Sequence, residues 1–212
     1  MDLARFPRRR YTPFVTPLER APRLSAALGI DLWFKRDDQL GLAGGGNKTR
    51  KLEFLVADAL AGGADMLITT GAPQSNHARL TAAAAAKEGL KCRLLIEERV
   101  AGSYDPHAPG NNLLFDLLGV EARRVVPGGT PLMAAMEEMA GEARAEGHLP
   151  YIIAGGGSVP LGALGYVACA AEIMAQCFDM GVAFDRIVLA SGSGGTHAGM
   201  LAGWRRCTRI SR

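Results

Sequence analysis

The sequence has few cysteines and no long apolar run, and each shortage excludes a class of protein. Four of its 212 residues are cysteine, and their spacing matches no paired metal-binding motif, so we expect no metal site. The arginine-rich N-terminus lacks the apolar stretch of a secretion signal, which predicts a cytoplasmic protein with reduced thiols. No uninterrupted apolar run approaches the length of a membrane span, so we expect no membrane association.

A strong excess of charge is also missing from most of the chain. The net charge is +3, but the last ten residues contain four arginines and no acid. Removing those four charges from +3 leaves −1 on residues 1–202, so we expect no nucleic-acid partner. The hydrophobic content of 48% is ample for a soluble core, and the length allows one large domain or two small ones.

The sequence does contain a regular alternation of short apolar runs and helical patterns. The apolar runs suit buried parallel strands, and the segments between them are long enough to cross over, which predicts a doubly wound α/β fold. The predicted strands are residues 31–36, 66–69, 92–96, 122–126, 151–154 and 186–190. The predicted helices are residues 20–28, 75–87, 111–118, 131–146 and 161–178, one that follows Asn47, and one that begins near Thr196.

A run of three glycines meets the start of a helix at Gly44–Gly46, and Lys48 and Lys51 lie in the first turn of that helix. Glycines allow a ligand to approach the backbone, and Asn47 is a good N-cap. A cation at a helix N-terminus faces the positive end of the dipole, so an anionic ligand would stabilise it and the amine pKa should be low. The alternative is a solvated helix start with ordinary surface lysines.

A second glycine-rich segment also leaves a predicted strand and opens a helix. Its backbone N–H groups, its hydroxyls and the helix dipole could converge on a phosphate. A glycine-rich turn that binds no ligand would not need two serines interleaved with the glycines. The residues predicted to bind the phosphate are Ser191, Gly192, Ser193, Gly194, Gly195 and Thr196.

Two further loops follow predicted strands, and ligands bind at such strand ends in open α/β sheets. Residues 74–77 read Gln-Ser-Asn-His, where N–H groups at a helix start could hold a carboxylate, although Ser75 could simply be the N-cap. His77 on the same turn is either catalytic or structural. Residues 155–158 read Gly-Gly-Gly-Ser, which suits close backbone approach to a site or a hinge.

Four motifs in order resemble one family. They are Lys-Arg-Asp-Asp at 35–38, Gly-Gly-Asn-Lys-Thr-Arg-Lys-Leu-Glu at 45–53, Gln-Ser-Asn-His at 74–77 and Ser-Gly-Ser-Gly-Gly-Thr-His-Ala-Gly at 191–199. Together they resemble the pyridoxal-phosphate (PLP) enzymes that include D-cysteine desulfhydrase, L-cysteate sulfo-lyase and 1-aminocyclopropane-1-carboxylate (ACC) deaminase. The resemblance implies the two-lobed, tryptophan-synthase-β-like fold of type II. Residues 1–50 and 165–212 would form the larger cofactor-binding lobe, and residues 51–164 the smaller one.

The resemblance also implies roles for individual residues. Lys48 would carry PLP covalently and act as the base for the substrate α-proton, and Lys51 would add a charge to the phosphate cup at residues 191–196. Ser75 would be a catalytic residue beside the substrate. Asn76 would contact the phenolic oxygen of the cofactor as well as the substrate, and His77 would be a further substrate contact.

The implied reaction is an α,β-elimination on a small sulfur-containing amino acid. L-Cysteate would give pyruvate, ammonia and sulfite, and D-cysteine would give pyruvate, ammonia and sulfide. Longer likenesses, such as Pro-Gly-Gly-Thr at 127–130, favour the L-cysteate branch. ACC ring opening is an open alternative, and the oligomer implied by the family is a homodimer.

The last residues depart from the family pattern. After Thr196 the helix is expected to break into residues 204–212, which lack apolar periodicity, whereas family members continue with further strands of the larger lobe. The sequence therefore predicts a C-terminally truncated chain with an incomplete larger lobe. A non-catalytic remnant that binds PLP weakly or not at all is the rival hypothesis.

Overall fold

The computed structural model describes residues 2–208, and it contains one parallel sheet, one small antiparallel ladder and seven α-helices. The strands are β1 (Leu18–Arg20), β2 (Trp33–Lys35), β3 (Met66–Gly71), β4 (Lys91–Glu98), β5 (Ala122–Pro127) and β6 (Pro150–Ile153). The helices are α1 (Pro22–Leu28), α2 (Lys48–Ala61), α3 (Asn76–Glu88), α4 (Asn111–Leu117), α5 (Leu132–Ala145), α6 (Pro160–Met180) and α7 (Gly195–Thr208). Short 3₁₀ turns occur at Leu3–Arg5, Asp37–Gln39 and Gly155–Gly157.

The parallel sheet has the strand order β5-β4-β3-β6, with Leu67 of β3 opposite both Cys92 and Tyr151. Successive side chains of a strand point to opposite faces of the sheet, and in the central strands β3 and β4 both sets are buried. Leu67 and Leu94 pack in the cluster that includes α2 and α3, whereas Ile68 and Leu95 pack in the cluster that includes α5. Helices therefore cover both faces, and the predicted α/β class is confirmed.

Helices α2, α6 and α7 form a packed group beside the sheet. Gly165 of α6 lies so close to α2 that a Cβ there would overlap the Arg50 carbonyl oxygen. The Arg50 side chain is 2% exposed and bonds both carboxylate oxygens of Asp37 and both of Glu172. This buried ion network fixes α2 against α6, since breaking such a network leaves an uncompensated buried charge.

Helix α6 is long and apolar enough to cross a membrane by length and composition alone. The sequence predicts a helix here, at residues 161–178, but not its span-like composition, because its apolar residues do not form one uninterrupted run. In the structure, α6 packs on α2 and α7 and buries an ion pair between Glu172 and Arg50. Those contacts are the ones that a core helix makes.

The N-terminal segment is bound to α2. Glu53 of α2 accepts a hydrogen bond from the Tyr11 backbone N–H at 3.1 Å and pairs with Arg8 at 2.5 Å. The Arg8 guanidinium also lies 5.2 Å from the centroid of the Phe54 ring. Residues 8–11, which we call the N-terminal strap, therefore hold the helix that carries Lys48 and Lys51.

The structure differs from the sequence-based prediction in two places near the C-terminus. No strand forms at residues 186–190: this segment pairs with no strand among the described residues, and the Val188 side chain is 94% exposed. Helix α7 does not break at Trp204 but continues to Thr208. Trp204 packs against the cluster that contains Tyr166 and Met200, which extends the helix. Residues 209–212 of the predicted irregular tail lie outside the described residues.

The first predicted strand, residues 31–36, is present as β2 but belongs to the antiparallel ladder with β1. The predicted division into lobes at residues 50/51 and 164/165 stays a prediction. Both divisions fall inside helices, α2 and α6, that pack on each other.

Candidate active site

The loop before α2 has a conformation that requires glycine. Gly44, Gly45 and Gly46 have φ values of 84°, 75° and 126°, a region that other residues rarely adopt. A Cβ on Gly45 would also overlap the Asp38 carbonyl oxygen. The glycine run thus follows from the sharp backbone path that delivers Lys48 to the start of α2.

Asn47 links Lys48 to the second glycine-rich loop. Lys48 Nζ donates to Asn47 Oδ1 at 2.9 Å, and Asn47 Nδ2 donates to Thr196 Oγ1 at 2.9 Å. Asn47 occupies the residue before α2, as predicted, but its backbone is already helical and its side chain makes no capping bond. The capping prediction was wrong because the side chain instead joins the two predicted ligand-binding segments.

Burial lowers the pKa of Lys48, which increases the neutral, nucleophilic fraction of the amine. Burial and the neighbouring Lys48 charge lower the pKa of Lys51 to about 8. Lys51 is 1% exposed, and its Nζ donates to the Gly156 carbonyl at 3.0 Å and to Ser158 Oγ at 3.2 Å. Among the described residues no carboxylate pairs with Lys51. An anion is therefore the missing electrostatic partner of this site.

Lys51 faces the start of α7, where the glycine-rich loop ends. A Cβ on Gly195 would lie 2.8 Å from Lys51 Nζ and 2.7 Å from Ser158 Oγ. The Ser193 and Ser158 hydroxyls are 2.6 Å apart, and a Cβ on Gly156 would lie 2.5 Å from Ser193 Oγ. A helix N-terminus, a buried cation and two hydroxyls thus form a tight cradle that suits a phosphate group.

A cavity of about 440 Å³ is lined by Lys48, Asn47 and Thr196 together with residues 191–194. Its volume is within the range of small-molecule sites, about 300–1,000 Å³. The structure therefore brings together the two segments that the sequence singled out, although Asn47 and Thr196 lie 149 positions apart in the chain.

The loop at residues 74–77 follows β3, and the glycine turn at residues 155–157 follows the neighbouring β6. Both loops thus lie at the carboxyl edge of the sheet, as expected for an α/β ligand site. Ser75 Oγ accepts a hydrogen bond from Ala78 N at 3.2 Å, so Ser75 is the N-cap of α3. Asn76 Oδ1 accepts from Asn111 Nδ2 at 3.0 Å.

His77 is buried and bonded within the fold. Its Nε2 lies 2.9 Å from Thr69 Oγ1, and the Thr69 hydroxyl donates its proton to the Ile153 carbonyl at 2.8 Å. The histidine must therefore carry its proton on Nε2. Burial, with the Lys48 and Lys51 charges, lowers the pKa of His77 to about 3, so the ring is neutral at pH 7. This position favours the structural interpretation of His77.

Three contact residues were not predicted from the sequence. Ser158 was recognised only as part of a glycine motif, and its contact with Lys51 spans 107 positions. Asn111 was recognised only as a helix start, and it contacts Asn76 across 35 positions. Arg79 donates to the Gly45 carbonyl at 2.8 Å and ties α3 to the glycine loop. None of these contacts has a local sequence signal.

Similarity to characterised proteins agrees with this geometry. Residues 10–211 match the family profile described as pyridoxal-phosphate dependent enzyme. The chain is 51% identical over 203 residues to a D-cysteine desulfhydrase of Klebsiella pneumoniae subsp. pneumoniae, and 50% identical to that of another K. pneumoniae strain. Each alignment covers 95% of this chain, and the chain spans about 61% of the length of these relatives.

Solved structures show the same fold. The crystal structure of an ACC deaminase homologue superposes with a TM-score of 0.86 at 45% identity, over 95% of this chain and 59% of that one. A threonine deaminase from T.th. superposes with a TM-score of 0.67 at 21% identity, over 92% of this chain and 57% of that one, and supports the fold alone. The fold is that of type II PLP enzymes, as the sequence predicted, and the chain belongs to the family of pyridoxal-phosphate dependent enzymes.

Proposed function

We propose that this chain forms the PLP-binding part of a lyase that eliminates a sulfur group from a small amino acid. The observation that carries this proposal is the pair of lysines at the start of α2. Lys48 has a lowered pKa and is linked through Asn47 to the glycine-rich loop, and Lys51 lies buried beside that loop without a carboxylate partner among the described residues. A reactive amine next to an anion cradle is what a phosphorylated aldehyde requires.

The residues present fit the cofactor of the family. Because Gly195 and Gly156 lack Cβ atoms, a phosphate can approach Lys51 Nζ and the Ser158 and Ser193 hydroxyls. Thr196 and the N–H groups at the start of α7 would complete the cradle. Lys48 would hold the aldehyde carbon covalently.

When bound, PLP supplies an electron sink for negative charge at the substrate Cα. Lys48 Nζ would be the base for the α-proton. Asn47 Oδ1 holds this amine at 2.9 Å, and burial favours its neutral form by lowering its pKa. Ser75 and Asn76, at the start of α3, would orient the substrate. The neutral His77 ring would contribute packing rather than proton transfer.

The names of the relatives support D-cysteine as a substrate, which would yield pyruvate, ammonia and sulfide. The sequence likenesses that favour L-cysteate remain compatible with the site, because both substrates lose a group from Cβ. ACC, the third candidate, would give a four-carbon oxo acid and ammonia after ring opening. A homodimer and a cytoplasmic location remain predictions from the family likeness and the sequence.

A non-catalytic chain is the second candidate. It is favoured by the segment at residues 186–190, which forms no strand and exposes Val188, next to the phosphate cradle. A cradle whose supporting segment is unpaired would bind PLP weakly.

The two candidates are distinguished by the visible absorbance of the purified chain after addition of PLP. We expect a borohydride-sensitive band that Lys48→Ala abolishes, followed by pyruvate release with sulfide from D-cysteine or with sulfite from L-cysteate. Production of a four-carbon oxo acid from ACC would support the deaminase alternative. A folded wild-type chain without a band would support the non-catalytic candidate.

A further inference from the structure

Asn111, the first residue of α4, makes three hydrogen bonds to residues at the start of α3, two to Gln74 and one to Asn76. Its backbone N–H donates to Gln74 Oε1 at 2.8 Å. Its side-chain Nδ2 donates to the Gln74 backbone carbonyl at 2.7 Å and to Asn76 Oδ1 at 3.0 Å. Asn111 is 8% exposed, whereas Gln74 and Asn76 are exposed residues, so these bonds join a buried side chain to the surface of the α3 turn.

The Gln74 backbone carbonyl determines which atoms of the Asn111 and Asn76 side-chain amides are nitrogen and which are oxygen. A backbone carbonyl can only accept, so the atom of Asn111 that faces the Gln74 carbonyl must be the NH₂ group. Both hydrogens of that NH₂ group are then used, one on Gln74 and one on Asn76. The atom of Asn76 that faces Asn111 must therefore be its oxygen.

This arrangement leaves the NH₂ group of Asn76 as a directed donor. Within the described part of the chain, Asn76 Nδ2 has no acceptor, although Oδ1 is occupied. Asn76 begins α3, and the same helix contacts the glycine loop through Arg79 and Gly45. The donor therefore belongs to a turn that is fixed against the loop preceding Lys48.

We propose that Asn111 is a positioning residue that fixes the Asn76 amide so that its NH₂ group, and not its oxygen, is presented to an anionic oxygen of the bound ligand. This inference rests on the proposed function and on the contact of Asn76 with the phenolic oxygen of PLP that the family resemblance implies. A donor at that oxygen stabilises its ionised form, whereas an amide oxygen in the same place would repel it. Asn111 thereby sets the electronic state of the cofactor through Asn76.

The test compares Asn111→Asp and Asn111→Ala with Asn112→Ala as a matched control. Asn112 is also buried on α4, and its Nδ2 donates to the Asp105 carbonyl at 2.6 Å without touching Asn76. We expect both Asn111 variants to shift the absorbance maximum of bound PLP and to weaken its affinity about tenfold, the cost of one hydrogen bond to a charged group. Asn112→Ala should leave the absorbance maximum unchanged.

A double-mutant cycle with Asn76→Ala separates positioning from general support of the loop. If Asn111 acts through Asn76, the Asn76→Ala/Asn111→Ala chain should lose no more affinity than Asn76→Ala alone. Additive losses, an unshifted absorbance in folded Asn111 variants, or a shift in Asn112→Ala equal to theirs would overturn the inference. So would failure of both Asn111 variants to fold, because Asn111 would then be structural. A wild-type chain without a PLP band would overturn the proposed function itself.

Discussion

At the residue scale, Lys51 should make anion binding depend on pH. Its pKa is lowered to about 8 by burial and by Lys48, and a bound phosphate would raise that pKa again. Below pH 8 the amine is already charged, whereas above pH 8 binding requires uptake of a proton. Affinity for phosphate should therefore fall as pH rises through 8, approaching tenfold per pH unit.

Inorganic phosphate is the suitable probe, because its binding does not require the reaction of Lys48. Calorimetric titration between about pH 8 and about pH 9.5 should show the decrease, because inorganic phosphate is already mainly dianionic in this range and its charge changes little. Lys51→Arg should bind with little pH dependence, because arginine stays charged. A wild-type affinity that stays flat across pH 8 would contradict the assignment of Lys51 to the cradle.

The cradle also depends on a missing side chain. Gly195→Ala would place a Cβ 2.8 Å from Lys51 Nζ and 2.7 Å from Ser158 Oγ, in the space that an anion would share. We expect this substitution to reduce affinity for PLP at least about tenfold, the equivalent of losing one charge-assisted contact. Gly141→Ala in α5, where a Cβ would meet nothing within 4 Å and which lies outside the cavity lining, is the matched control and should bind normally. Equal affinity in the two variants would argue against the cradle.

At the element scale, the contact between α2 and α6 depends on Gly165. A Cβ there would overlap the Arg50 carbonyl, and the helices would have to separate. Gly165→Ala should lower the free energy of unfolding by about 1–3 kcal/mol, as overpacking does. Gly141→Ala in α5, where a Cβ meets nothing within 4 Å, should instead raise it by about 0.5–1 kcal/mol through helix propensity. Denaturant unfolding of both variants checks the opposite signs.

Elements with their own periodic pattern could be predicted from the sequence. The strand predicted at residues 66–69 appears as Met66–Gly71, and the helix predicted at 161–178 appears as Pro160–Met180. The strand predicted at residues 186–190 does not form, although its apolar pattern is similar. A strand needs a neighbour for its backbone hydrogen bonds, and local sequence carries no information about whether one is present.

In the candidate site, too, the local features could be predicted from the sequence and the tertiary contacts could not. The positions of Lys48, Lys51 and the loop at residues 191–196 at helix starts were predictable, because each lies in or beside a glycine-rich motif, whereas their roles stay predictions. The bonds that join them were not predictable, since Asn47 prefers Thr196 and Lys48 over the cap that its position predicts. A tertiary contact thus overrides the local capping preference of Asn47.

At the scale of the whole molecule, the two most exposed large apolar side chains among the described residues lie in the C-terminal part of the larger predicted lobe. Phe178 is 88% exposed and Val188 is 94% exposed, and a cavity of about 450 Å³ lies along residues 184–189. Exposed apolar patches with unpaired backbone favour association.

We therefore expect the isolated chain to self-associate as its concentration rises. Val188→Asp should reduce the sedimentation coefficient at a given concentration, and Phe178→Asp should do the same. Val100→Asp is the control, because Val100 is 69% exposed but follows β4 on the parallel sheet. A wild-type chain that stays monomeric as its concentration rises would contradict this expectation.

The N-terminal strap has a consequence for handling the protein. Trypsin must extract an arginine side chain from its contacts before it cleaves, and Arg8 is held by Glu53 and by the Phe54 ring. Because these contacts lie on α2, the rate of cleavage at Arg8 reports how firmly the helix that carries Lys48 is packed. The rate of cleavage at Arg8, followed separately from cleavage at the exposed Arg5, Arg9 and Arg10, would thus report on the packing of α2 without any cofactor or substrate.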